Sequence, residues 1–216
     1  MFAIHIENAR SQHGDAIHNL IRLWYDLAPD ETHELVMPAE AIAAYIRRFP
    51  EGVFVALEKE QVVGYAITMR TSHTPYERPQ SWLEAIGGFA FRNYASRGEW
   101  LYGVDFFIHP NYRRRGIGTR MYRARFNLVK RLNLRGFFAG GMLAGYHKYQ
   151  RQMSPRVYAE KVTRGELQDP TITMQLNRGF RSGGFIENYT TDAPPHNNAM
   201  LIVWDNPHYE RMGLAV

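Results

Sequence analysis

The chain has 216 residues, 26 basic and 21 acidic, and no cysteine, which excludes a disulfide framework, thiolate zinc sites and a cysteine nucleophile together. A 45% hydrophobic share with 13% aromatic residues is too apolar for disorder, and a chain this long buries roughly 70–75% of its unfolded surface, enough for one domain without a staple. The net charge of +5 hides a polar layout: residues 1–105 hold 9 basic and 14 acidic side chains, residues 106–159 hold 12 basic and none acidic, and residues 160–216 hold 5 basic and 7 acidic.

A basic segment of that kind suits nucleic acid, an anionic membrane or a phosphorylated ligand. The first ten residues lack a basic region followed by an apolar core, and no run approaches ~18 apolar residues. Neither a signal peptide nor a membrane span is expected, and the expected location is cytoplasmic.

Phe2 to Glu7 alternates apolar and polar residues and predicts a strand. Ala16, Leu20, Leu23, Trp24 and Leu27 recur with a helical period over residues 15–28, closed by Pro29, and residues 38–49 predict a second helix with Pro38 in its first turn. Residues 52–58 and 62–69 are β-rich runs joined by a charged turn, hence a hairpin. Residues 71–98 form a long connection with Pro75, Pro79, Gly87, Gly88 and Gly98 and one short helix at 82–86. Connections are typically about 4–6 residues, so this one reads either as a substrate-side insertion or as a plain surface insertion.

Residues 100–108 form a strong strand, ended at His109-Pro110. A helix follows over residues 116–133, with Ile117, Met121, Ala124 and Leu128 on one face. On this reading Arg120, Arg123, Arg125, Lys130 and Arg131 form its solvated side. Residues 136–140 are a short buried strand, 154–164 and 170–178 are helical, and 181–188 and 199–204 are the last strand pair. The element order predicts an α/β protein with one mixed sheet, residues 1–216 forming a single domain.

Chemistry concentrates where the strand 100–108 meets the next helix. Arg113, Arg114 and Arg115 precede Gly116-Ile117-Gly118-Thr119, which opens the helix. The first N–H groups of a helix are unpaired and carry the positive end of its dipole, so such a start is a ready anion site, and arginines add charge that pairs with phosphate oxygens. The expected ligand carries a pyrophosphate. A Walker loop needs Lys and Ser or Thr after its last glycine, yet Tyr146 follows Gly140–Gly145. A dinucleotide fingerprint needs a third glycine where Met121 stands. No histidine cluster has metal-ligand spacing, so no metal site is expected.

Residues 101–135 resemble motif A of the GNAT superfamily of acyl-CoA-dependent N-acetyltransferases: Arg113, Gly116 and Gly118 match its Arg/Gln-x-x-Gly-x-Gly/Ala pattern, after a strand ending Ile108-His109-Pro110. Asn177-Arg178-Gly179-Phe180 resembles the family's helix-then-Gly-Phe junction. Residues 139–149, 153–155 and 165–170 resemble GNAT domains found fused to carbon–nitrogen hydrolases, and no hydrolase part is expected within residues 1–216.

The resemblance implies a mixed, mostly antiparallel central sheet with splayed strands and flanking helices. It implies acetyl-CoA as the acetyl donor, held at its pyrophosphate by backbone N–H groups from Arg114 to Thr119 beside Arg113, with Ile117 at the helix start. It also implies that Phe106, Phe107 and Ile108 pair with the pantetheine arm, the Phe106 N–H stabilising the oxyanion. The acceptor would be an amine-bearing small molecule or peptide that attacks the thioester directly, without nucleic acid or membrane, and a homodimer through terminal strands is open.

The tyrosine that protonates the departing thiolate in many members corresponds to Gln175, so Tyr146, Tyr149 and Tyr189 are stand-in acids. The base is Asp105, His147 or a water chain. Asp105 equally suits a structural hydrogen bond, His147 reads first as a structural histidine, and Phe106, Phe107, Phe137 and Phe138 read mainly as core. Two other readings remain: a nucleic-acid-binding module using the basic segment, and a CoA-binding regulatory domain without catalysis.

Overall fold

A computed structural model of the chain describes residues 3–77, 80–192 and 197–211. Seven strands form one sheet: β1 (Ile4–Asn8), β2 (Val53–Glu58), β3 (Gln61–Thr71), β4 (Trp100–Ile108), β5 (Gly136–Met142), β6 (Arg181–Ile186) and β7 (Ala199–Asp205). The spatial order is β1-β2-β3-β4-β5-β7-β6. Every neighbouring pair is antiparallel except β4–β5, which is parallel. That one parallel step needs a crossover, and α4 (Ile117–Arg131) supplies it.

The expected elements recur with shifted ends. The first residue of the expected N-terminal strand, Phe2, and Pro79 of the long connection lie outside the described residues. Helix α1 (Gly14–Trp24) stops before Pro29 because Tyr25 leaves the helix and Asp26 turns left-handed at φ 53°. Pro38 caps α2 (Ala39–Arg48) from outside instead of entering its first turn. The expected helix over 170–178 shortens to α6 (Ile172–Leu176), after α5 (Pro155–Thr163).

The connection 71–98 is tied to the sheet. Its helix α3 (Trp82–Ile86) starts with a reciprocal Ser81–Glu84 cap and ends at left-handed Gly87. Trp82 is buried; its backbone N–H donates to the Tyr189 carbonyl and its indole N–H to the Val104 carbonyl at 2.8 Å.

The two sheet faces carry different helices. Trp24 of α1 packs edge-on against Phe107. Phe126 of α4 stacks on Trp204 and meets Phe137 and Phe180 on the opposite face. Two of the runs at 139–149 and 165–170 meet in the structure. The buried Asp169 accepts the Gly145 N–H at 2.8 Å and the Tyr158 hydroxyl at 3.0 Å with one oxygen, and the Thr171 and Ile172 N–H groups with the other. A side chain at Gly145 would fall 2.5 Å from the Tyr158 hydroxyl, which is why a glycine stands there.

Candidate active site

A gap between β4 and β5 follows from strand pairing that stops early. β4 and β5 pair only from Trp100–Gly136 to Gly103–Ala139, although β4 runs on to Ile108 and β5 to Met142. On its other side β4 stays paired with β3 to the end, with one irregularity: Ile67 faces Asp105 while Thr68 faces Gly103, so Val104 is an extra residue on β4. Such a bulge turns the strand and increases its twist, which drives it away from β5. The Val104 carbonyl, displaced from the ladder, is the one that accepts the Trp82 indole N–H.

The hydrogen-bonding alternation sets which groups face the gap. His109 N–H donates to the Val63 carbonyl at 3.0 Å. In an antiparallel pair the N–H groups alternate between the two edges, so those of Phe107 and Asp105 point to β3, and those of Phe106 and Ile108 point toward the gap. The Phe106 N–H is not vacant: it donates to Oδ1 of Asp105 at 2.7 Å. Oδ2 of the same carboxylate accepts the Tyr65 hydroxyl at 2.6 Å. Burial pushes the Asp105 carboxyl above the usual carboxylate value of 3.8, opposed by these two hydrogen bonds.

At the mouth of the gap the turn before α4 is wound so that its N–H groups stay free. Arg114 sits at φ 63° and Gly116 at φ 73°, both in the left-handed region. An arginine there is uncommon, since Asn and Asp are the side chains that adopt this region most readily. Nothing lies within 4 Å of where a Gly116 side chain would begin, so the space over the helix start is open. Gly116 is the N-cap of α4 and no side chain caps the helix, a kind of helix start that can take an anion. Arg113, Arg114 and Arg115 are exposed, Arg113 donating to the Ile108 carbonyl and Arg115 stacking on Tyr112 near Glu58. Ile117 is buried beneath the turn, while Thr119 is exposed and accepts from Arg178 at 2.9 Å.

Across the sheet from α4, Asp105 belongs to a polar cluster. Tyr102 and Tyr189 share a hydrogen bond of 2.6 Å, and burial raises the Tyr189 phenol to about 12. Tyr25 stacks on His33, which lies 3.8 Å from Asp192. Burial raises the Tyr25 phenol, and the charges of Asp192 and Asp105 raise it further.

The other expected catalytic side chains do not join that cluster. Tyr146 is buried against Tyr158, its hydroxyl donating to the Met153 carbonyl at 2.8 Å. His147 is exposed, with Nδ1 3.0 Å from the Ala144 carbonyl.

One expectation is reversed. Arg125 is not on the solvated side of its helix: it is 2% exposed, its guanidinium lying 4.0 Å over the Tyr122 ring and within 5.3 Å of Phe106 and Phe137. The signal exists in the spacing, since residue 125 follows Met121 by four and precedes Leu128 by three, on the apolar face. Burial lowers its pKa, and Tyr122 beside it acts the other way.

The basic segment does not present a single-sign surface either. Arg115, Arg131, Arg135 and Arg156 pair with Glu58, Glu51, Glu99 and Glu187, all from the flanking acidic segments. Among the described residues no helix is long and apolar enough to cross a membrane.

The Acetyltransferase (GNAT) family model matches residues 15–142 of this chain. "Probable hydrolase YhcX" of Bacillus subtilis is 33% identical over 171 residues, which is 79% of this chain, and this chain spans about a third (33%) of the length of YhcX. YkwB of the same organism, described as an uncharacterized N-acetyltransferase, is 28% identical over 85% of this chain and 81% of its own length. Among solved structures, the loading GNATL domain of CurA from Lyngbya majuscula superposes with a TM-score of 0.78 at 14% identity, covering 95% of this chain and 99% of that domain.

Proposed function

The chain belongs to the GNAT family of acetyltransferases, and on that premise we propose that it moves an acetyl group from acetyl-CoA to a primary amine on a small molecule or peptide, by direct attack within a ternary complex. The observation that carries this reading is the gap between β4 and β5 opening onto the uncapped start of α4. The residues fit the donor: the open space over Gly116 and the left-handed turn at Arg114 suit a pyrophosphate, and Arg113 to Arg115 supply charge. The Phe106 and Ile108 N–H groups face the gap, where a pantetheine amide can complete the unpaired strand edge.

The chain's own groups then divide the work. Asp105 takes a proton from the incoming amine, its raised carboxyl being a better base at neutral pH than an exposed one. The Phe106 N–H stabilises the developing oxyanion, a contribution of about 2.7–4 kcal/mol for one such donor. Because that N–H is engaged by Asp105 Oδ1, the carboxylate must release it as the acyl oxygen arrives, which ties the two roles together. Tyr25, His33 and Asp192 line the amine side, and their aromatic faces and carboxylate favour a cationic acceptor.

The test is calorimetric titration with acetyl-CoA, followed by CoA release against a panel of amines. Binding of acetyl-CoA with amine-dependent release is expected. Absence of binding at millimolar acetyl-CoA would remove the reading, and binding without release for any amine would leave a CoA-binding regulatory domain. Affinity for nucleic acid, measured over a salt series, is expected to be weak, because four of the segment's 12 basic side chains are paired with glutamates of the flanking segments.

A further inference from the structure

Among the described residues three buried polar atoms lack a hydrogen-bond partner: Arg125 Nη2, Gln175 Oε1 and Arg178 Nε. All three side chains converge on Tyr122. Arg125 lies 4.0 Å and Arg178 5.3 Å from its ring centroid, and Gln175 Nε2 donates to its hydroxyl oxygen at 3.1 Å. Arg125 and Gln175 are 2% and 6% exposed, so neither charge nor amide is relieved by water. A buried guanidinium held by three aromatic faces and one long hydrogen bond, from Nε to the Met121 carbonyl at 3.4 Å, is costly unless an anion comes to its free nitrogen.

The cluster sits beside the gap. Tyr122 packs 5.6 Å from Phe106, whose N–H faces the gap, and Arg178 also grips Thr119 in the turn that opens α4. Gln175 reaches Tyr122 past β5 because Gly141 has no side chain there; a Cβ would fall 2.6 Å from Oε1.

We propose that Tyr122 is the proton donor to the departing thiolate, in place of the tyrosine whose position Gln175 occupies. This rests on the acetyl-transfer reading above. Gln175 donates to the phenol oxygen, so the phenolic proton remains available for another acceptor, and two guanidiniums lie within 5.3 Å of the ring centroid. The acceptor nitrogen, having first lost its ammonium proton to water, bonds to the acyl carbon through its lone pair and gives up one further proton to Asp105. The C–S bond breaks with its electron pair on sulfur, and Tyr122 passes its proton to that sulfur to give the free thiol. The phenolate regains a proton from water, and Asp105 releases its own to water.

Three measurements on the full chain test this. Tyr122→Phe should lower kcat by about 100-fold with acetyl-CoA affinity unchanged, and Tm should fall only by what the buried Gln175 amide loses with its acceptor. Tyr122→Phe combined with Gln175→Tyr should recover most of that loss, since it returns a phenol to the other side of the same site. The pH midpoint for ionisation of bound CoA thiol, read from thiolate ultraviolet absorbance, should rise by about one unit in Tyr122→Phe, because a donor to sulfur favours the thiolate. An unchanged kcat in Tyr122→Phe, or an unchanged thiol midpoint, overturns the assignment of Tyr122 while leaving acetyl transfer standing. A wild-type chain that does not bind acetyl-CoA overturns both.

Discussion

Tyr65 donates its hydroxyl to Asp105 at 2.6 Å across the β3–β4 ladder, and this bond holds the carboxylate where its other oxygen covers the Phe106 N–H. Three residues from two strands thus form one unit at the edge of the gap. The unit depends on the extra residue Val104, which sets the direction in which Asp105 and Phe106 emerge.

The carboxyl in that unit has a defined pH signature. Burial raises Asp105 above 3.8, so the folded chain holds its proton more tightly than the unfolded chain does. Stability contributed by that proton is complete below the unfolded value and is lost as pH rises through the raised folded value. Asp105→Asn removes the titration. Urea unfolding across this range should therefore show wild type losing ground to the variant as pH increases; a difference independent of pH would contradict it. The same variant should lower kcat by about 100-fold, the general-base share of the rate.

The turn that opens α4 makes two glycines unequal. A Cβ at Gly118 would meet Ile108 Cδ1 at 3.5 Å and Phe106 Cζ at 3.8 Å, ordinary contacts that the fold accepts. Gly118→Val should change stability by less than about 1 kcal/mol and yet abolish acetyl-CoA binding by covering the first N–H groups. Gly116→Ala meets no atom but must hold φ 73°, at a cost of about 1–2 kcal/mol. Calorimetry with acetyl-CoA and thermal unfolding separate the two effects, and normal binding by Gly118→Val would refute the assignment of the loop.

Asp169 is a structural hub, with four donors on its two oxygens and 1% exposure. Asp169→Ala leaves the Gly145, Thr171 and Ile172 N–H groups and the Tyr158 hydroxyl without their acceptor, and should cost about 3 kcal/mol or more. Chemical denaturation measures this directly. Loss of α6 order in the variant should also weaken catalysis, because α6 carries Gln175.

Trp82 anchors the connection 71–98 through the carbonyl of the bulge. Trp82→Phe keeps most of the packing and removes only the indole N–H, leaving the Val104 carbonyl unpaired at a cost of about 1–3 kcal/mol. Limited proteolysis should cut the variant faster within residues 71–98. Equal cutting rates would show that the anchor does not hold this segment to β4.

The identity and order of the elements were legible from residue spacing, because amphipathic periods and turn residues report local conformation. The glycine-rich start of α4 was legible for the same reason: Gly116, Gly118 and the preceding arginines are adjacent in the chain. Helix ends were less so. Tyr25 and Asp26 end α1 early through a left-handed turn that no glycine announces. Arg125 illustrates the limit of reading residue type before spacing, since its charge suggested solvent while its position lay on the buried face.

By itself the sequence determined a strand, an arginine-bearing turn and a glycine-started helix, the elements of the proposed anion site, because each is set by contacts between near neighbours in the chain. Only the tertiary structure decided what surrounds that site. The bulge at Val104 and the early end of β4–β5 pairing depend on β3, β5 and Trp82, none adjacent to the turn. The convergence of Arg125, Gln175 and Arg178 on Tyr122 joins two helices about fifty residues apart. In the basic segment that dominates the charge pattern, four of the 12 cations are paired with glutamates drawn in from both flanking segments. Charge and hydrogen-bond partners are settled by distance in space, and a linear chain encodes that distance only through its fold.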